Sequence, residues 1–180
     1  MVWTFDLIEE VERVPETYLK QVENTDGLYE IRIQQGSDIF RIFCFFHRNN
    51  LIVLANGFQK KTQQIPKGEI DKALKIKKDM NQKTNNIMIL EEFKERHYGK
   101  IRTPERDELE VGYENFKLGV LLQQARHEKG LTQEELAQRT GTTKSYISKI
   151  ENGVKEVRLS TLQKIVELGL EGKLQLSIQL

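Results

Sequence analysis

The chain of 180 residues is short of the features that define several large protein classes. It holds one cysteine, Cys44, which excludes an intramolecular disulfide and a cysteine-built zinc site. Long apolar runs are missing: the most apolar stretch, residues 39–46, is broken by Arg41 and falls far short of the roughly 20 residues of a spanning helix. The first turns carry Asp6, Glu9, Glu10 and Glu12 where a secretory leader would be basic and then apolar. The expectation is a cytoplasmic chain without membrane attachment. An excess of one charge is also lacking, since 28 Lys and Arg meet 27 Asp and Glu for a net +1.

That balance is a cancellation between blocks. Residues 1–38 sum to −6, 39–83 to +7, 84–114 to −3 and 115–180 to +3. Two basic blocks in one chain point to two nucleic-acid-facing surfaces, with acidic segments available to cover one of them.

Hydrophobic spacing divides the chain further. Phe5, Leu7, Ile8, Val11 and Val14 predict an amphipathic helix stopped by Pro15, and Tyr18, Leu19 and Val22 a second short helix ended by the turn Asn24-Thr25-Asp26-Gly27. Residues 28–34, 39–46 and 51–58 are β-branched and aromatic and predict a three-stranded antiparallel meander, with turns at 35–38 and 48–50. A polar, basic loop follows at 59–65, and Pro66 opens a helix with Ile70, Ala73 and Leu74 on one side and lysines on the other. The polar stretch 81–86 marks a domain boundary, with Met80 just before it. An acidic helix at 88–97 and an extended or partly helical connector at 99–114 come next.

From residue 115 the helix signals are dense. Residues 116–129 form one helix ended by Gly130; Thr132 with Glu135 is a capping box; Gly141 breaks the chain; residues 144–151 are a third helix; Ser160 with Gln163 is a second capping box. Lys173 to Leu180 then alternate polar and apolar, which predicts a strand. Its edge needs a partner, and the same strand of a second copy is preferred over the N-terminal sheet, giving a homodimer through Lys173 to Leu180.

Two helices joined around Gly141, with Leu136, Ala137, Ile147 and Ile150 inward, are the unit that places a helix in the DNA major groove. The run from Leu131 to Gly141 and then Tyr146 to Gly153 resembles the Cro/C1 repressor family of XRE type, over about residues 116–169. The resemblance implies a dimer on a palindromic operator, with Gln133 at the phosphate backbone and Lys144, Ser145, Ser148 and Lys149 at base edges. Lysine suits guanine acceptors, and serine pairs with several bases. Arg126 and Glu151 resemble the ion pair that joins the first and third helices in such repressors.

Residues 28–33, 40–46 and 51–62, with the segment from Gly57 to Pro66, resemble the phage-derived Gp49-like branch of the HigB/RelE toxins, over about residues 2–79. The resemblance implies a twisted sheet on helices and cleavage of ribosome-bound mRNA by the ribose 2′-OH, which needs cations and proton-moving groups and no cofactor. Arg32, Arg41, Lys60 and Lys61 are the candidate catalytic cations; Tyr29 and Phe58 are candidates for base stacking. Family members place a strand and a full first helix before the segment matching Val2 to Leu7, so the expectation is a truncated toxin domain with impaired mRNA endonuclease activity.

The order, toxin then HigA-type XRE antitoxin, is that of a toxin–antitoxin pair on one polypeptide. The expected division is a toxin-like domain at 1–80, an acidic linker or antitoxin extension at 81–114, and a helix-turn-helix domain at 115–180 with its C-terminal strand. The fold class is thus an α+β RelE-like part followed by an all-α part. The expected function is an autorepressor whose toxin-like domain is neutralised in cis or inactive; the alternative is a plain XRE repressor whose N-terminal domain only mediates assembly. Operator DNA is the expected partner, with mRNA on the ribosome as a second.

Overall fold

The computed structural model describes residues 2–35, 38–47, 51–59, 65–80, 88–154 and 156–176. Residues 36–37 of the expected turn at 35–38, the expected turn at 48–50, Lys60 and Lys61 of the expected basic loop, the expected boundary segment 81–86 and residues 177–180 of the expected C-terminal strand lie outside the described residues. The chain divides into two units, Met1–His97 and Tyr98–Leu180.

In the first unit a sheet carries a helix on each face. Helix α1 (Val2–Glu10) precedes strands β1 (Leu19–Gln21), β2 (Leu28–Gln35), β3 (Asp38–His47) and β4 (Leu51–Gln59), and helix α2 (Lys67–Met80) follows them. The strands pair antiparallel in chain order. Alternation along β2 sends Ile31 and Ile33 to one face, where Cys44 of β3 and Phe5 and Ile8 of α1 join them. Leu28 points the other way, into a cluster with Val22, Phe43 and Ala73 of α2. A register shift between Phe43 and Cys44 places Asn56 opposite the first and Leu54 opposite the second, a bulge in β4.

The second short helix predicted for residues 15–22 is instead a turn and an edge strand. Tyr18 and Leu19 N–H groups both reach back to the Pro15 carbonyl, and Leu19 then pairs with Ile31. The apolar spacing that suggested a helix serves a different geometry: Leu19 joins the α1 face and Val22 the α2 face. The sheet therefore has four strands, and the hydrogen-bonding edge of β2 is covered. Helix α3 (Leu90–Tyr98) follows, and its buried Lys94 forms an ion pair of 2.5 Å with the buried Asp6 of α1.

The second unit is helical. Helix α4 (Pro104–Glu128) is continuous for 25 residues, so the connector predicted at 99–114 is largely helix. Its acidic surface hides the signal: Leu109 and Tyr113 are buried four residues apart, and Arg106, also buried, pairs with Glu110 at 2.5 Å. Helices α5 (Gln133–Thr140), α6 (Lys144–Glu151) and α7 (Leu159–Lys164) follow, and α7 runs into one π turn at Ile165–Gly169. In that turn the Leu170 N–H reaches the Ile165 carbonyl five residues back, at 3.0 Å.

The Thr132–Glu135 capping box is formed on both sides, and hydrogen bonding from Thr132 holds the Glu135 carboxyl below its ordinary range. The second box, Ser160 with Gln163, is not made: α7 starts at Leu159 with Arg158 as N-cap. Ser160 lies inside the first turn, because the inward packing of Val157 and Leu162 sets the helix start. Leu122, Leu136, Ala137, Ile147, Ile150, Leu162, Ile165 and Leu170 form the core of this unit. Residues 172–176 form no strand within the single chain.

Candidate nucleic-acid interface

The geometry of α5 and α6 follows from their caps and their inward faces. Gly141 ends α5 in the left-handed conformation, φ 61°, which glycine adopts without steric cost. Two residues on, the Thr143 hydroxyl accepts the Tyr146 N–H at 3.1 Å and opens α6. Leu136 and Ala137 of α5 meet Ile147 and Ile150 of α6, all 1–2% exposed. The opposite face of α6 is consequently turned outward: Lys144, Ser145 and Lys149 are exposed, and Ser148 is half-buried.

A buried polar knot holds the other end of α6. Arg126 of α4 grips Glu151 with two bonds, Nε to Oε1 at 2.6 Å and Nη2 to Oε2 at 2.9 Å. The expected ion pair is therefore present, and it offsets the cost of a carboxylate at a helix C-terminus. Arg126 Nη1 also donates to the Leu131 carbonyl at 2.7 Å, before α5. Gln133, the first residue of α5, donates its side-chain amide to Glu151 Oε2 at 2.8 Å. Glu151 thus links three helices, and it fixes Gln133 at the α5 N-terminus, where unpaired N–H groups favour phosphate. Asn152 closes α6 by donating to the Ser148 carbonyl at 2.7 Å. Thr143 is the site-forming residue that the sequence reading passed over; its signal is a threonine three residues before Tyr146, at the start of a helix.

In the first unit Arg32 and Arg41 are brought together as direct cross-strand partners. Both bind the same carboxylate: Arg32 donates Nε to Glu30 Oε1 at 2.7 Å and adds Nη2, and Arg41 donates Nη1 to Oε2. Glu30 was not among the expected site residues, although it precedes Arg32 by two on a strand and so shares its face. Tyr29 packs edge-on against Phe46, centroids 5.2 Å apart, and Phe58 against Phe43 at 5.5 Å. These two candidate stacking rings thus serve the protein interior in part, Tyr29 on the α1 face and Phe58 on the α2 face. No helix among the described residues is long and apolar enough to cross a membrane.

This arrangement of α5, turn and outward-facing α6 is that of a helix-turn-helix DNA-binding regulator, and residues 122–168 match the helix-turn-helix family model. Residues 1–78 match the model of the phage derived protein Gp49-like family. The chain joins a Gp49-like domain of the RelE/HigB toxin type to a C-terminal helix-turn-helix domain of the XRE type, an order that fits a toxin–antitoxin context. Among solved structures, the restriction-modification controller protein C.AhdI from Aeromonas hydrophila is 33% identical over 33% of this chain and 89% of its own, with a TM-score of 0.32. The wild-type controller protein C.Esp1396I is 34% identical over 32% of this chain and 75% of its own, with a TM-score of 0.31. A comparison with curated proteins found no match.

Proposed function

We propose that the chain is an autorepressor that reads a palindromic operator as a homodimer, with α6 in the major groove. The observation that carries this reading is the outward face of α6, where Lys144, Ser145 and Lys149 are exposed while Ile147 and Ile150 are held inside. Lys144, Ser145, Ser148 and Lys149 contact base edges, and Gln133 meets the phosphate backbone through the α5 N-terminus. Pairing of Lys173 to Leu180 with the same segment of a second copy sets the two-fold axis, and half-sites lie about 34 Å apart. Selection of DNA sequences from a random pool by the full chain tests the reading. A palindrome whose preference Lys149→Ala relaxes at one position of each half-site supports it; recovery of sequences without symmetry, or unchanged selection by the variant, rejects it.

For the Gp49-like domain we propose binding of ribosome-bound mRNA through Arg32 and Arg41, joined by Lys60 and Lys61. Functionally the chain then divides into a toxin-like part at 1–80, an acidic restraining segment at 81–114 and the repressor at 115–180. Expression of residues 1–83 in cells, followed by measurement of translation, tests for cis restraint: arrest that the full chain does not cause supports it, and Arg32→Ala with Lys61→Ala should abolish the arrest. A second reading, a plain repressor whose N-terminal domain mediates assembly, is favoured by one observation: the charges of both arginines are already met in part by Glu30. Translation untouched by the full chain, by 1–83 and by 1–97 alike, the last keeping the Lys94–Asp6 pair, selects that reading.

A further inference from the structure

Glu30 lies in β2 with its side chain only 3% exposed, and each of its oxygens is taken by a different arginine. Arg32 and Arg41 stand directly opposite each other across β2 and β3, an arrangement that like charges oppose. Without the carboxylate between them, the two guanidiniums would repel and turn toward water. One carboxylate against two guanidiniums leaves a single net positive charge, which matches the single negative charge of a phosphodiester.

The donors that remain indicate where such an anion would sit. A guanidinium offers five N–H groups, and Arg32 directs its side-on edge, Nε with Nη2, entirely at Glu30. Arg41 gives Glu30 only Nη1. Its Nε is buried and has no hydrogen-bond partner among the described residues, although Arg41 is only 8% exposed. A buried N–H left bare is costly, and the edge that Nε shares with Nη2 is the one that grips two oxygens of a phosphate. Arg32, bound to the same carboxylate, is 30% exposed at its side chain, so an anion would reach the pair from its side.

We propose that Glu30 is a positioning residue for a phosphodiester site in the Gp49-like domain: it clamps Arg32 and Arg41 so that the Nε edge of Arg41 is presented to an RNA phosphate. The proposal rests on the RNA-facing reading of that domain given above. Glu30 itself does not take a proton from the substrate, since both its oxygens are capped by arginine.

The test is binding of a short, fluorescently labelled single-stranded RNA to the full chain, compared among unaltered protein, Arg41→Ala, Glu30→Gln and Glu30→Asp. Pure electrostatics predicts tighter binding by Glu30→Gln, because a negative charge is removed. Positioning predicts the opposite, a loss of about tenfold, the size of one misaligned charge-assisted hydrogen bond. Glu30→Asp keeps the charge and shortens the reach by one methylene, so it should fall between the two even if Glu30→Gln does not fold. Unchanged or tighter binding by a folded Glu30→Gln, or unaltered binding by Glu30→Asp, overturns the proposal. If neither the unaltered full chain nor residues 1–97, its first compact unit, binds RNA, or if binding is equal with Arg41→Ala, the RNA-facing reading falls and this proposal with it. Binding lost in Arg41→Ala but kept in both Glu30 variants removes the role of Glu30 alone.

Discussion

Arg126 and Glu151, 25 residues apart in sequence, form a two-pronged ion pair in which each residue is 5% exposed. Removing one partner leaves the other charge buried without its mate, a loss of about 3–5 kcal/mol. Arg126→Ala is therefore expected to lower the stability of the helical unit by that amount in urea unfolding. Replacing both, with Arg126→Met and Glu151→Leu together, should cost much less. A double variant as unstable as the single one would mean that the pair is net stabilising beyond the burial of its charges.

Lys149 and Lys144 are tested by the kind of contact each makes. If Lys149 reads a base edge, Lys149→Ala costs about 1–3 kcal/mol on the selected operator and relaxes preference at one position. A lysine facing phosphate instead weakens all sequences alike and lowers the salt slope of binding by about one. Lys144, also placed at base edges, is expected to show the first behaviour at a different position of the half-site. Anisotropy titrations at several salt concentrations, on the operator and on a scrambled duplex, distinguish the two.

Gly119 of α4 lies against the end of α6. A Cβ built there would stand 2.6 Å from the Ile150 carbonyl oxygen and 2.7 Å from that of Glu151. Both obstacles are backbone, so α4 and α6 must move apart to admit even one methyl group. Gly119→Ala is expected to destabilise the unit by about 1–3 kcal/mol and to weaken operator binding beyond what lost folding explains. Thermal unfolding and DNA titration on the same sample check it; stability equal to the unaltered chain rejects the close approach.

Cys44 is buried beneath α1, and burial pushes its thiol up from near 9 to about 12. The folded state therefore holds the proton more tightly than the unfolded chain. The associated stability is complete below pH 9 and is lost as pH rises from about 9 to 12. Cys44→Ala should remove that part of the alkaline slope, whatever it does to stability at neutral pH. Native protein at pH 8 should also react with a thiol reagent far more slowly than protein in urea.

Legibility followed how local each signal was. The helix-turn-helix was readable because its determinants sit within a few residues of one another: Thr132 with Glu135, Gly141, and the apolar pair Ile147 and Ile150. Strand β1 was not readable, since three residues cannot display a period and Leu19 acquires its meaning only from Ile31 across the sheet. The first turns of α4 were obscured by Glu105, Asp107, Glu108 and Glu110, which outnumber the buried Leu109 and Tyr113. Ser160 and Gln163 matched a capping pattern that packing overruled. In the candidate sites, the outer face of α6 could be read from helical spacing alone. Glu30 could not, because its importance comes from Arg41 on the neighbouring strand.

The π turn at Ile165–Gly169 amounts to one surplus residue in the last helix. With α geometry throughout, a partner for Ile165 on the same side would fall three or four residues later; here Leu170 enters the core at the fifth position, and Leu168 is left 61% exposed. Gly169 fits against Leu136 and Thr140 only because it has no side chain, so the wider turn cannot slide along the helix. Residues 173–176 therefore follow on a bearing set by that single insertion, and Leu174 packs back against the core. Losing one residue between 165 and 169 would swing the tail by about 100°, the rotation per residue of an α-helix, and re-aim the segment assigned to pairing with a second copy.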